Sequence, residues 1–294
     1  MPLVTIITPT YNRAEKLPIL YESLINQTNK DFEWLIVDDG SEDTTDKCVK
    51  IFQKESAFSI KYIKKENGGK HTALNTGIRT ITTTLTVIVD SDDLLLPDAV
   101  ELIHRYYNKY INNREVGALT FLRSGKFGKP IVKLPKDEYV DSYIKCRIRE
   151  NRPGDMAEVF YTEVLKKYPF PEFLGERFLS EDVVWIELGK KFQHVFINKA
   201  IYQCEYLEGC LTDNDKPLKF ASPLGSMMRG KMLMTRECGW KANIKGAIIY
   251  NCYKHEVKGK VPDSVAVNSL SDRIVIFMTQ PLGRVFYKHW KKQV

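Results

Sequence analysis

Four short apolar runs, each followed by a stretch of helical periodicity, constrain this chain more than any other feature. Residues 4–8, 32–37, 60–63 and 85–89 read as strands rich in β-branched and aromatic side chains. Between and after them, residues 15–26, 44–56, 71–80 and 98–110 read as helices. Leu17, Leu20, Leu24 and Ile25 mark the apolar face of the first, and Cys48, Val49, Ile51 and Phe52 that of the second. Strands alternating with helices in this way predict an α/β fold with a mostly parallel sheet covered on both faces. Ligands of such sheets bind beyond the carboxyl ends of the strands. Two acidic runs lie there, Asp38-Asp39 after the second strand and Asp90-Ser91-Asp92-Asp93 after the fourth.

The second run carries the most chemistry. Burying three carboxylates unpaired costs several kcal/mol or more, so they need water or a cation. Hard oxygen ligands suit Mg²⁺ or Mn²⁺ shared with a substrate phosphate, although the same residues also fit a solvated loop or a Ca²⁺ turn. The loop from Thr8 to Arg13 can place Tyr11 against a base, with Thr8 and Arg13 as polar contacts, or form an ordinary Pro/Asn turn. Asp38-Asp39-Gly40-Ser41 can accept from a base N–H or a ribose hydroxyl, or cap a helix. Glu66-Asn67-Gly68-Gly69-Lys70-His71-Thr72 lacks phosphate-loop spacing, but its glycines allow close backbone approach. The helix after it offers N–H groups to an anion, and Lys70 or His71 can add charge. Without G-x-G-x-x-G after the first strand, a nicotinamide enzyme is disfavoured. Ser180-Glu181-Asp182 opens a further apolar helix, where a carboxylate can act as a general base or simply favour the helix start.

Beyond residue 114 the pattern loosens. We expect a strand at 117–123, a hairpin or loop at 125–135, a helix at 137–148, a helix within 178–190 and a strand at 195–204. Helices at 222–237 and 269–278 follow. The expected organisation is a domain over 1–221, with halves 1–113 and 114–221, and a mainly helical extension over 222–294. The formal charge of +7 on 294 residues is compatible with phosphate-rich ligands or an anionic membrane surface and establishes neither. Six cysteines without C-x-x-C pairs argue against a zinc cluster. Lacking a leader-like start and any apolar run near ~20 residues, the chain is expected to be cytoplasmic with reduced thiols and not to span a membrane.

Taken together, TIITPTYNR, VDDGS, ENGGKHTALNTGI, VDSDDLLLPD and SEDVVW resemble the family 2 glycosyltransferases, in that family's order. The resemblance is strong over residues 2–110 and weaker near Glu181. It implies a GT-A fold and an inverting transfer from a nucleotide-sugar donor, with a UDP-sugar favoured, to a glycan or lipid-linked acceptor. It further implies that Pro9, Tyr11, Arg13 and Asp39 line the base and ribose pocket, with Lys70 towards the diphosphate. Asp90 and Ser91 would lie on the donor, and Asp92, with Asp90, on Mn²⁺ or Mg²⁺; Asp93 is a helper. Asp182 matches the catalytic base, with Glu181 beside it. Asp155 and Glu158 are candidates for acceptor hydroxyls. A single transfer is expected, because no Q-x-x-R-W motif marks a processive synthase. The expected product class is bacterial surface polysaccharide. No nucleic-acid partner is expected, while residues 283–292 mix aromatic and basic side chains and could lie on an anionic membrane or pack on the domain. The competing readings are a nucleotidyltransferase, which would want a Gly-rich basic signature where PTYNR stands, and an inactive sugar-nucleotide-binding scaffold.

Overall fold

The computed structural model describes residues 1–125, 128–152, 154–204 and 215–293. Pro153, Cys210 and residues 126–127 of the expected hairpin lie outside the described residues. The chain divides into two compact units. The first comprises Met1–Ser142, Arg152–Pro169 and Lys191–Tyr206, and the second Tyr143–Asn151, Phe170–Lys190 and Leu207–Val294. The boundary expected at residue 222 therefore falls inside the second unit.

In chain order the first unit begins with β1 (Val4–Thr10), α1 (Leu17–Ile25), β2 (Phe32–Asp38), α2 (Thr45–Glu55), β3 (Ile60–Lys64), α3 (Lys70–Ile78) and β4 (Leu85–Ile88). Then come the short β5 (Leu94–Leu95), α4 (Ala99–Tyr110), β6 (Val116–Ser124), β7 (Glu138–Ser142), β8 (Met156–Tyr161) and the single turn α5 (Thr162–Leu165). After α6 (Asp182–Gly189), which belongs to the second unit, β9 (Gln193–Gln203) completes one nine-stranded sheet. Its order is β3-β2-β1-β4-β8-β6-β9-β5, with β7 also paired to β9.

The parallel arrangement predicted from the alternation holds across β3-β2-β1-β4, and the sheet becomes mixed beyond β4. The alternation of side chains explains why both faces are covered. Ile6, Trp34, Ile36 and Val87 point into a core with Leu17, Leu20, Val49 and Ile103 of α1, α2 and α4. Ile7 and Val37 turn to the other face and meet α3, where Gly77 leaves room: a Cβ there would stand 2.5 Å from Ile7 and 2.8 Å from Val37.

β1 runs through Pro9 to Thr10 rather than ending at the proline. The Ile7 carbonyl faces β4 and accepts from Val89 N, so residue 9 faces the same way, but that ladder ends at Ile7 opposite Ile88. The missing N–H of Pro9 therefore breaks no ladder bond.

One expected helix fails and one strand was not foreseen. Residues 137–148 are not one α-helix: residues 138–142 form β7, antiparallel to β9 from Glu138 opposite Ile197 to Ser142 opposite Gln193, and Ile144–Arg149 forms a π-helical turn. Tyr139 stacking on Phe196 at 5.2 Å shows what the helical reading could not weigh, a cross-strand partner far along the chain. Residues 156–161, for which no element was expected, are β8, paired between β4 and β6.

The second unit is helical. Besides α6 it contains α7 (Asp215–Ala221), α8 (Pro223–Leu233), α9 (Trp240–Lys254) and α10 (Leu270–Lys291). Gly230 and Gly246 bring α8 and α9 together, since a Cβ on Gly246 would lie 2.4 Å from the Gly230 carbonyl. Helix α10 runs well past the expected end at residue 278 and accommodates Pro281 internally.

Candidate active site

Within the first unit, the ends of β1, β2 and β4 deliver three loops. The loop after β1 is held by its neighbour after β2. Asn12 N donates to Ser41 Oγ (2.8 Å), and Asn12 Oδ1 accepts from Glu42 N (2.9 Å). Asn12 adopts φ 51°, a conformation asparagine tolerates better than most residues. This clamp fixes Tyr11, 44% exposed, and Arg13 on either side of it.

Thr8 departs from expectation. It is fully buried in β1, and its hydroxyl accepts from Trp34 Nε1 at 2.9 Å, so it serves the core rather than a ligand. Pro9 is likewise buried in the strand. The two aspartates after β2 divide their work. Asp38 accepts from Ser41 N (2.7 Å) and the Tyr62 hydroxyl (2.5 Å) and shapes the turn. Asp39 accepts from Lys65 Nζ (2.8 Å), Gly68 N (3.0 Å) and Gly69 N (2.7 Å), drawing the glycine loop before α3 against the end of β2. The Lys65 and Gly68 bonds both go to one oxygen, so the other keeps capacity for a further donor.

The loop after β4 is built on two residues that sequence reasoning missed, Arg123 of β6 and Tyr202 of β9. The Tyr202 hydroxyl accepts from Asp90 N (3.0 Å) and donates to Asp93 (2.8 Å). The Arg123 guanidinium lies 4.1 Å over the Tyr202 ring, donates from Nε to the Met156 carbonyl, and stands 4.0 Å from Asp90 and 3.9 Å from Asp93. Lys70, at the start of α3, pairs with Asp90 at 2.5 Å. Burial opposes ionisation of Asp90, but Lys70, Arg123 and Arg13 outweigh it and hold the carboxyl below its usual range. Asp93 goes the other way: burial, then the Asp90 charge, push it up to about 7. Asp92 differs from both. It stays partly exposed and stands 3.6 Å from the Arg13 guanidinium. Ser91 is buried between them. Elsewhere in the first unit, Asp155 is exposed and Glu158 half-buried on β8, both near enough to favour the Arg123 charge.

In the second unit, Asp182 opens α6 but forms no side-chain cap. Its carboxylate takes Arg229 Nε at 2.8 and 3.1 Å. The segment before it is strapped to α8. Glu176 accepts from Leu224 N (2.7 Å) and Gly225 N (2.8 Å), and Ser222 Oγ accepts from Arg177 N and Phe178 N. A Cβ on Gly225 would stand 2.5 Å from the Phe178 carbonyl, so only glycine allows this approach. Beside Asp182, a small cavity of about 70 Å³ is walled by Phe178, Ser180, Lys219, Arg229, Tyr253 and Trp290, with Glu181 next in sequence.

Residues 5–129 match the model of "Glycosyl transferase family 2". That segment belongs to glycosyl transferase family 2. Glycosyltransferase GlyA of Streptococcus pneumoniae is 27% identical over 202 residues, covering 68% of this chain and 28% of the relative. The chain thus spans under a third of that curated relative. S. aureus TarS 1-349, solved in complex with UDP-GlcNAc, superposes with a TM-score of 0.63 at 17% identity, covering 98% and 92% of the two chains. A Pyrobaculum calidifontis mannosyltransferase, solved with GDP-Man and Mn²⁺, gives 0.58 at 17%, covering 99% and 84%. The fold is GT-A, with the mixed sheet and helical C-terminal part of such proteins. No described helix is long and apolar enough to cross a membrane.

Proposed function

We propose that this protein transfers one sugar from a nucleotide-sugar, of which a UDP-sugar is the first choice, to a hydroxyl of a glycan or lipid-linked acceptor, with inversion at the anomeric carbon. The observation that carries this reading is the unequal state of the acidic loop. Asp90 and Asp93 are engaged by Lys70, Arg123 and Tyr202, whereas Asp92 faces outward beside Arg13.

In this reading Tyr11, Arg13 and Asp39 line the base and ribose pocket, and Lys70, Asp90 and Ser91 shape the diphosphate side. Asp92 supplies the hard oxygen ligand for Mg²⁺ or Mn²⁺. Among the described residues no three ligating side chains converge, which suits a small divalent ion that takes its other ligands from phosphates and water. A divalent ion held there would supply positive charge against the departing diphosphate. Asp182, with Glu181 as its neighbour, accepts the proton of the acceptor hydroxyl as its oxygen attacks the anomeric carbon and the nucleoside diphosphate leaves. Arg229 orients that carboxylate. Asp155 and Glu158 remain candidates for acceptor hydroxyls, and the product belongs to surface polysaccharide assembly by the same resemblance.

Calorimetric titration with UDP, GDP and dTDP, each with and without Mn²⁺, tests the reading. Metal-dependent binding of one nucleotide is expected. A folded protein that binds none of them excludes it and favours a scaffold role.

A further inference from the structure

Within the second unit, α10 buries one side and leaves the other bare. Gly283 meets α9 at Asn251, whose amide donates to the Ile276 carbonyl (2.7 Å) and the Thr279 hydroxyl (3.1 Å). On the remaining surface stand Leu270, Ile274, Phe277, Met278, Leu282 and Val285, each 50% exposed or more. At helical spacing five of these fall in an arc roughly 100° wide, with Leu282 at its edge. A continuous stripe of large apolar side chains, unlike scattered ones, marks a surface that something covers.

The charges around it select what. Arg273 and Arg284 lie along one margin, and Lys288 and Lys292 continue the stripe beyond Val285; all four are exposed. The one acidic residue of α10, Asp272, is turned to Asn243 of α9. A second copy meeting this face about a two-fold axis would set these cations against their equals, which is unfavourable. The helix lacks the uninterrupted apolar length for a span. An apolar stripe with basic margins on an exposed helix suits the plane of an anionic bilayer interface.

We propose that this stripe is a docking surface for an anionic lipid bilayer, with α10 lying in the interfacial plane and its apolar residues inserted between headgroups. This goes beyond the transfer reaction and does not depend on it.

Vesicle flotation of the whole chain is the test, with phosphatidylcholine vesicles against vesicles that also contain phosphatidylglycerol. The chain should float with the anionic vesicles, much less with the neutral ones, and less as salt rises. Ile274→Asp with Phe277→Asp should abolish flotation while leaving the melting curve intact, because both side chains are exposed. Arg284→Ala with Lys288→Ala should weaken binding roughly twenty-five-fold, at about fivefold per cation near an anionic surface. Absent flotation, equal flotation with neutral vesicles, or flotation unchanged in the Ile274/Phe277 variant overturns the proposal. So does a dimer in sedimentation that the same variant dissociates without any lipid binding, which would assign the face to a second copy. Nucleotide titration reads the donor site separately, so failure of either idea leaves the other's measurement intact.

Discussion

Asp182 and Asp92 should fail differently when changed, because one handles a proton and the other a charge. Asp182→Asn keeps the shape and the hydrogen-bonding reach towards Arg229 but cannot take the acceptor's proton. Transfer should fall roughly 10²–10⁴-fold with nucleotide affinity unchanged, as read by single-turnover transfer and calorimetry. Full activity in that variant removes Asp182 as base. Asp92→Ala should instead remove the Mn²⁺ dependence of nucleotide binding, and an unaltered difference between titrations with and without metal refutes its role. Tyr202 contributes at one remove. Tyr202→Phe deletes the hydroxyl that serves both Asp90 N and Asp93 and strands two buried polar groups. That should cost about 1–3 kcal/mol in urea unfolding and weaken nucleotide binding, since the acidic loop loses its anchor to β9.

Among the elements, α8 governs the loop that carries Asp182. Its N-terminus is capped by Glu176, and Gly225 admits the Phe178 carbonyl. Gly225→Ala puts a methyl at 2.5 Å from that oxygen, and the loop must move. Expected are a loss of about 1–3 kcal/mol in stability and a fall in kcat that exceeds any change in KM for the donor. A shift confined to KM would detach the loop from catalysis. None of this was legible beforehand. The strands and helices of the first half were, because their periodicities of 2 and 3.6 are written locally, and so were the acidic loops, because carboxylates at strand ends announce themselves. Residues 138–142 misled because an isolated strand at a sheet edge, beside a helical turn, has no local sign of its partner β9. Thr8 misled because its motif position says nothing of Trp34 beneath it. Arg123, Tyr202 and Arg229 escaped for one reason: each acts on a carboxylate far away in sequence, and only folding brings the two together.

For the molecule as a whole, two buried groups with opposite displacements should offset each other in the pH dependence of stability. His194 lies in the sheet between Phe160 and Phe196, with Nδ1 at 2.8 Å from the Thr120 hydroxyl, and burial drives its pKa down to about 3. Below about pH 6.5 the unfolded chain takes a proton there that the folded chain refuses. Folding stability is therefore lost as pH falls, by about 2 kcal/mol between pH 7 and 5. Asp93 has the reverse sign. With its folded pKa near 7 and an unfolded value near ~3.9, the folded state holds the extra proton, and stability falls as pH rises from ~5 to ~8, by about 2–3 kcal/mol. The two windows overlap, so the opposing changes nearly cancel between ~5 and ~8 and leave a net change of under about 1 kcal/mol in the nucleotide-free protein. Urea unfolding across pH checks this with two variants. His194→Gln should unmask the Asp93 slope, with stability falling as pH rises from ~5 to ~8, and Asp93→Asn the His194 slope, with stability falling as pH drops from ~7 to ~5, whatever either does to absolute stability. A profile that stays flat in both variants would mean that neither group changes its proton affinity on folding. The Asp93 titration also bears on ligand binding, because the proton that leaves it above neutrality adds a charge beside Asp92 and Asp90. Removing it by substitution should make Mn²⁺-dependent nucleotide affinity less sensitive to pH between ~6 and ~8, which ties the stability of the fold to the charge state of its acidic loop.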